Sequence, residues 1–94
     1  MDKFDISSFI DILTPEKATE DLVSRFKTRR KEAKLSQSAL ASRSGVSYAS
    51  LRRFETTGEI SLNSLMRLAV TLDCLEDFGQ LFAHRKITDL KDYE

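Results

Sequence analysis

The stretch Leu35–Glu55, LSQSALASRSGVSYASLRRFE, restricts what this chain can fold into more than any other. Its residues specify two short helices with a tight turn between them. Ser36 stands where a hydroxyl can cap a helix N-terminus, accepting from the backbone N–H two or three residues on. Ala41 is small at a point where two helices must approach closely. Gly45 suits the left-handed backbone that ends a helix, since it carries no Cβ penalty there. Val46 supplies an apolar plug for the turn, and Ser47 caps the helix that follows. Leu51 and Phe54 then fall three apart on one face of that second helix. With Leu35, Ala39, Leu40 and Val46 they make an apolar set able to bury one side of the pair.

The opposite side of the second helix carries Ser47, Tyr48, Ser50, Arg52 and Arg53. A helix pair of this kind, with its second member exposed, is a helix-turn-helix pattern. Charge points the same way. The net formal charge is zero, which by itself argues against a polyanion partner. The distribution reverses that impression. Residues 24–56 hold nine Lys/Arg (Arg25, Lys27, Arg29, Arg30, Lys31, Lys34, Arg43, Arg52, Arg53) against two acids, Glu32 and Glu55. The flanks are acidic, with six acids against two bases in 1–23 and seven against four in 57–94. A basic middle between acidic ends is the footprint of a polyanion-facing surface.

Here the residues meet a family. Leu35-Ser36-Gln37, Ala41, Gly45-Val46-Ser47, Leu51 and Glu55 resemble the helix-turn-helix of the phage repressor and Cro type, also called the XRE family. The resemblance runs from about Phe26 to Leu72. It implies an all-α, five-helix lambda-repressor-like DNA-binding domain. The run Phe54–Leu62, FETTGEISL, is similar to the HipB-like branch, whose small repressors are often antitoxins made beside a kinase toxin.

The chain divides into an apolar N-terminal extension (1–14), the DNA-binding domain (15–83, with the helix-turn-helix proper at 36–56) and a C-terminal tail (84–94). In the extension Ile6, Phe9, Ile10 and Leu13 recur at helical spacing, and Asp5 can cap a short helix. That apolar weight needs a cover, either as a strap over the domain's own core or as a dimer contact. Thr14-Pro15-Glu16 is a helix start: a cap, a proline in the first turn, and an acid at the positive end of the dipole. The helix it opens runs to about Ala33, with Leu22, Phe26 and Ala33 facing inward, Val23 beside them, and Arg25, Arg29, Lys31 and Lys34 mostly outward.

Gly58 breaks the chain after the second short helix, which extends to about Thr56. Ser61 caps a fourth helix whose Leu62, Leu65, Met66, Ala69 and Leu72 form a wide apolar stripe. A fifth helix, about Leu75–Ala83, carries Leu75, Phe78, Leu81 and Phe82. In the tail Ile87, Leu90 and Tyr93 recur every three residues among charges, which suits a helical turn, an edge strand, a docking strip or a frayed end.

Composition narrows the function classes. With 94 residues and 40% apolar content, one small core is available, and a dimer would help to stabilise it. No apolar run is long enough to span a membrane. The N-terminus is acidic and lacks a signal-peptide pattern. The single cysteine, Cys74, forms no intrachain disulfide and reads as a buried apolar filler in a reducing cytosol. These features give an expectation of a cytoplasmic, nucleoid-associated bacterial protein. There is no Cys/His cluster for a metal, no cofactor motif, and no nucleophile with a histidine partner; His84 stands alone. The serines at 36, 47 and 61 are accounted for as helix caps. An enzyme is not expected.

The resemblance assigns roles by position. The start of the recognition helix lies deepest in a major-groove dock, so Ser47, Tyr48, Ala49, Ser50 and Arg53 are the base-reading candidates. Ala49 suits a thymine methyl, and Arg53 suits guanine O6 and N7. Tyr48 departs from the amide common there in phage repressors, and stacking on sugar or bonding to phosphate are its alternatives. Gln37, Arg52, Ser61, Asn63 and Lys34 are the phosphate candidates. Arg30 and Glu55 match an ion pair that joins the first helix to the recognition helix, a structural role. Double-stranded DNA bound by a homodimer on a palindromic operator follows from the family, with Phe78, Phe82 and Phe9 at the candidate dimer interface. Two alternatives remain: an antitoxin that also binds a kinase-like toxin, and a protein-interaction module on the same fold that leaves DNA alone.

Overall fold

The computed structural model describes residues 12–85. It is all-helical over that span, with four α-helices followed by a 3₁₀ segment and no strand among the described residues. Helix α1 is Pro15–Glu32, α2 is Gln37–Ser44, α3 is Tyr48–Thr57 and α4 is Leu62–Thr71, and the 3₁₀ segment is Leu75–Gln80.

Every α-helix begins on a hydroxyl cap. Thr14, Ser36, Ser47 and Ser61 accept from the backbone N–H groups of Lys17, Ala39, Ser50 and Ser64 at 3.0–3.1 Å. Each cap is worth about 1 kcal/mol to its helix. Gly45 and Gly58 end α2 and α3 with left-handed backbone, at φ 78° and 83°. Two further helices end without glycine. Lys34 (φ 60°) follows α1 and Asp73 (φ 59°) follows α4. The Lys34 N–H bonds to Lys31 O and the Leu35 N–H to Arg30 O; the Asp73 N–H bonds to Val70 O and the Cys74 N–H to Ala69 O. Both are Schellman closures built on a non-glycine residue.

The helices close around one core of Val23, Phe26, Leu40, Ala41, Val46, Leu51, Phe54, Leu68 and Leu72, flanked by Leu35, Ile60, Leu65 and Cys74. α2 packs on both α3 and α4, α1 packs on α3, and α4 meets the 3₁₀ segment. Phe26 and Phe54 meet edge to face, with ring centroids 5.0 Å apart and planes at 77°. Such a pair adds about 1 kcal/mol beyond its buried area.

The apolar pattern of the chain is shifted in three places. On α1 the inner face is Val23, Phe26 and Arg30, while Leu22 and Ala33 are exposed. The face is centred by a buried arginine, which a hydrophobic count does not register. On α4 Leu68 is fully buried and Leu62 is exposed, so the stripe lies further along the helix than its leading leucine suggests. The fifth element is a 3₁₀ segment ending at Gln80 rather than an α-helix to Ala83. It has no side-chain cap at Cys74, Gly79 sits inside it, and six residues are too few to close α-helical turns against that cost. Leu75, Leu81 and Phe82 are exposed in consequence.

Residues 12–14 have no regular structure, and Ile12 and Leu13 are exposed. The helical extension expected over 1–13 otherwise lies outside the described residues, as does the tail from 86 onward, including Ile87, Leu90 and Tyr93. No described helix is long and apolar enough to cross a membrane. Among the described residues no cluster of His, Cys, Asp and Glu is placed to hold a metal ion.

Candidate nucleic-acid interface

α3 is split lengthwise by its sequence. Leu51, Phe54 and Glu55 are buried, and Tyr48, Ala49, Ser50, Arg52 and Arg53 are exposed. The apolar pair anchors the helix in the core, so the polar residues between them point out by helical periodicity. Tyr48 is 46% exposed at the leading end. Ser47 precedes it as the cap. Its hydroxyl accepts from the Ser50 N–H at 3.0 Å and donates to the Ser50 hydroxyl at 2.9 Å. The two serines therefore satisfy each other in the free chain, while Ala49 and Tyr48 present unencumbered surface between them.

Behind this face lies a buried charge network. Arg30 Nε donates to Glu55 Oε2 at 2.7 Å and Arg30 Nη2 to Glu55 Oε1 at 3.0 Å, a two-pronged pair. Arg30 Nη1 also donates to Leu35 O at 2.9 Å, which ties the α1–α2 connection to the same guanidinium. Arg30 and Glu55 are both buried, so neither can reach a nucleic acid. Burial alone would raise the Glu55 pKa. The hydrogen bonds from Arg30 and Gln37, with the positive charges of Arg30 and Lys27, overcome that and hold the carboxyl below its ordinary 4.5.

Gln37 opens α2 beside the network. Its amide nitrogen donates to Glu55 Oε1 at 2.8 Å, so the side chain expected at a phosphate is already tied to α3. Its amide carbonyl and remaining hydrogen are not used by that bond. The other phosphate candidates, Lys34, Arg52, Ser61 and Asn63, are all exposed. Ser61 also spends its hydroxyl on capping α4.

Arg53 leaves α3 on its exposed side and pairs through Nη2 with Glu59 Oε1. A shallow cleft joins α3 to the start of α4, lined by Ser50, Arg53, Glu59, Ile60, Ser61 and Ser64. The structure thus brings Ser50, Arg53 and Ser61 to one surface. Sequence reasoning passed over Glu59, whose signal was an acid directly after the glycine that ends the exposed helix.

Arg29 is the second residue whose role differs from expectation. It is exposed, as expected of the outer face, but its head reaches across to the end of α4. Its Nε and Nη2 donate to Leu72 O at 3.4 and 3.3 Å, and Nη2 to Asp73 O at 3.3 Å. The Leu72 carbonyl at the C-cap has no partner within α4, that of Asp73 lies just beyond it, and a cation there also suits the dipole. Of the dimer candidates, Phe78 is half-buried and Phe82 is fully exposed, whereas Phe9 lies outside the described residues. Cys74 is half-buried against the core, and burial pushes its thiol pKa up. His84 is exposed.

Comparison with known proteins agrees with this geometry. The family model described as helix-turn-helix matches residues 26–78. No curated protein and no solved structure matches the chain. The matched span takes in α2, the glycine turn and the exposed α3, together with the end of α1, all of α4 and most of the 3₁₀ segment that support them. With more than half of its length in that match, and an XRE-type order of helices around an exposed third helix, the chain belongs to the helix-turn-helix family of DNA-binding transcription regulators.

Proposed function

We propose that this protein is a sequence-specific repressor that binds a palindromic operator as a homodimer. The observation that carries the reading is the exposed face of α3, with Tyr48, Ala49, Ser50 and Arg53 outward on a helix held from behind by the buried Arg30–Glu55 pair. The major groove admits one such helix. In the proposed complex Ala49 meets a thymine methyl and Arg53 meets guanine O6 and N7. Ser47 and Ser50, once their mutual bond opens, add hydroxyls beside them, and Tyr48 lies against sugar and phosphate. Lys34, Arg52, Ser61, Asn63 and the free part of the Gln37 amide take backbone phosphates. The domain that does this is 15–83, flanked by the segments 1–14 and 84–94.

A single module covers little DNA, and specific affinity in such proteins normally comes from two copies about one helical turn apart. The apolar surface of Leu81 and Phe82, beside the half-buried Phe78, supports pairing at the end of the domain, and Phe9 is the candidate from the leading segment. Exposed Leu62 and Val70 on α4 leave room for a second kind of protein partner. That surface favours, as a second reading, an antitoxin that represses its own operon while holding a kinase-like toxin; the HipB-like run Phe54–Leu62 supports the same idea.

The experiment is selection of bound duplexes from a random pool, followed by binding at several salt concentrations. The expected result is an enriched palindrome with half-sites about one turn apart, and affinity that falls steeply with salt as phosphate contacts are screened. Failure to enrich any sequence, with binding indifferent to salt, would overturn the reading. A kinase-like protein that copurifies and leaves the operator affinity intact would favour the antitoxin.

A further inference from the structure

The exposed arginine of α3 is held in a closed circuit of bonds. The Thr57 hydroxyl donates to Arg53 O at 2.8 Å and accepts from the Glu59 N–H at 3.2 Å. The Glu59 carboxylate then accepts from Arg53 Nη2. The circuit thus runs from the Arg53 backbone through Thr57 to the Glu59 backbone, along its side chain, and back to the Arg53 guanidinium. Its base is rigid. Gly58 closes α3 with its N–H on Phe54 O at 2.8 Å, and Ile60 on the other side packs against the core. Both charged side chains are about two-thirds exposed, at 67% and 65%, so the pair stands on the surface that α3 presents.

We propose that Glu59 is a specificity-determining residue of the DNA interface, fixing the Arg53 guanidinium for a guanine, with Thr57 as the positioning link between them. The inference rests on the reading of Arg53 as a base-contacting residue. A guanidinium has five N–H donors, and Glu59 engages only Nη2, so donors remain for O6 and N7. A free arginine side chain samples many rotamers and finds phosphates as easily as bases. One held by a carboxylate has fewer such choices. The carboxylate also repels the backbone of any duplex that brings no guanine to the arginine. Glu59 therefore lowers affinity for wrong sequences and keeps affinity for the right one.

The test uses the full chain and two duplexes of equal length, one selected from a random pool and one scrambled. Dissociation constants are measured for wild type, Thr57→Val, Glu59→Gln, Arg53→Ala and the Arg53→Ala, Glu59→Gln double variant at two salt concentrations. An exposed ion pair of this kind contributes modestly, so Thr57→Val and Glu59→Gln should each lower the ratio of selected to scrambled affinity by roughly three- to fivefold. Replacing the contacted guanine should matter less to both variants than to wild type. In an Arg53→Ala background Glu59→Gln should have no further effect on the ratio.

Thr57→Val carries no charge change, so a role for Glu59 as a mere negative charge would leave that variant like wild type. The proposal is overturned if both ratios stay within about twofold of wild type. It is also overturned if Glu59→Gln strengthens binding to both duplexes by one common factor while Thr57→Val changes nothing. Should Thr57→Val melt early, Glu59→Gln with the guanine replacement decides alone. A wild-type chain that binds neither duplex at low salt refutes the DNA-binding reading itself, which separates that failure from this one.

Discussion

Replacing Glu55 with alanine leaves a guanidinium inside the protein without its carboxylate. Arg30 is 9% exposed and loses the contacts at 2.7 and 3.0 Å, keeping only the bond to Leu35 O. Gln37 loses its acceptor at 2.8 Å as well. Removing one partner of a buried pair costs about 3–5 kcal/mol, most of it the uncompensated charge. Because Arg30 keeps a third hydrogen bond, the expected loss is at the low end, about 3 kcal/mol. A domain of this size has a total stability of only about 5 kcal/mol or somewhat more, so the variant is close to unfolding. Urea denaturation followed by far-ultraviolet circular dichroism reads the effect directly. With a slope near 1.5 kcal/mol per molar, the midpoint should fall by about 2 M. Arg30→Met in the same background should recover most of the loss, since it removes the orphaned charge and keeps the packing volume. The reasoning fails if Glu55→Ala lies within about 1 kcal/mol of wild type, or if the double variant shows the simple sum of the two single losses.

The same pair gives a pH dependence. Glu55 ionises below its ordinary 4.5 in the folded chain, so its contribution is complete above that value and is lost as pH falls through the lower, folded one; the stability gap between wild type and Glu55→Gln should shrink in that acid window and stay constant above it. Gly58→Ala should cost about 2–3 kcal/mol in thermal or urea unfolding, because the new Cβ would lie 2.3 Å from Thr19 Cγ2 at a backbone φ of 83°. Gly45→Ala should cost about 1 kcal/mol, since φ is 78° but the nearest atom, Arg67 Nη1, is 3.8 Å away. Lys34→Gly should stabilise by about 0.5–1 kcal/mol by relieving left-handed backbone at φ 60°, while weakening DNA binding and flattening its salt dependence. Arg29→Met should cost about 1 kcal/mol by leaving the Leu72 and Asp73 carbonyls to water, measured as a lower unfolding midpoint.

The helix-turn-helix was legible because its cues are local. Ser36, Gly45 and Ser47 act on backbone within three or four residues of themselves, and a cap or a left-handed glycine needs no tertiary context to be recognised. The Arg30–Glu55 geometry could be anticipated only through resemblance, since nothing in the spacing of two residues 25 apart says that they meet. What stayed hidden was tertiary. Leu22 and Val23 are adjacent and both apolar, and the choice between them was made by the packing of α1 on α3, with a buried arginine on the inner face. The last helix misled for a different reason. Leu75, Phe78, Leu81 and Phe82 have helical spacing, but Gly79 and the lack of a cap at Cys74 cost more than that spacing gains in so short a segment. Closure by Lys34 was also invisible, because lysine does not favour positive φ, and Asp73 offered only the weak preference of its residue type.

Counting cations along the chain overstates how many head groups are free to meet DNA. Arg30 is consumed by Glu55, Arg29 by the carbonyls that end α4, and Arg53 is shared with Glu59. The planar, multi-donor heads of these three arginines suit fixed geometry better than diffuse attraction, whereas Arg25, Arg43 and Arg52 are exposed. The lysines of the same stretch, Lys31 and Lys34, are exposed and suit point attraction to phosphate, while Lys27 is half-buried and its charge acts on Glu55. The division assigns two tasks to one basic block. On the proposed reading Arg30 holds the recognition helix, Arg53 is the head group set toward a base, and the exposed Lys34 and Arg52 draw the backbone in. A swap that keeps charge but exchanges the residue types would therefore preserve association with DNA in general and lose the ability to choose among sequences.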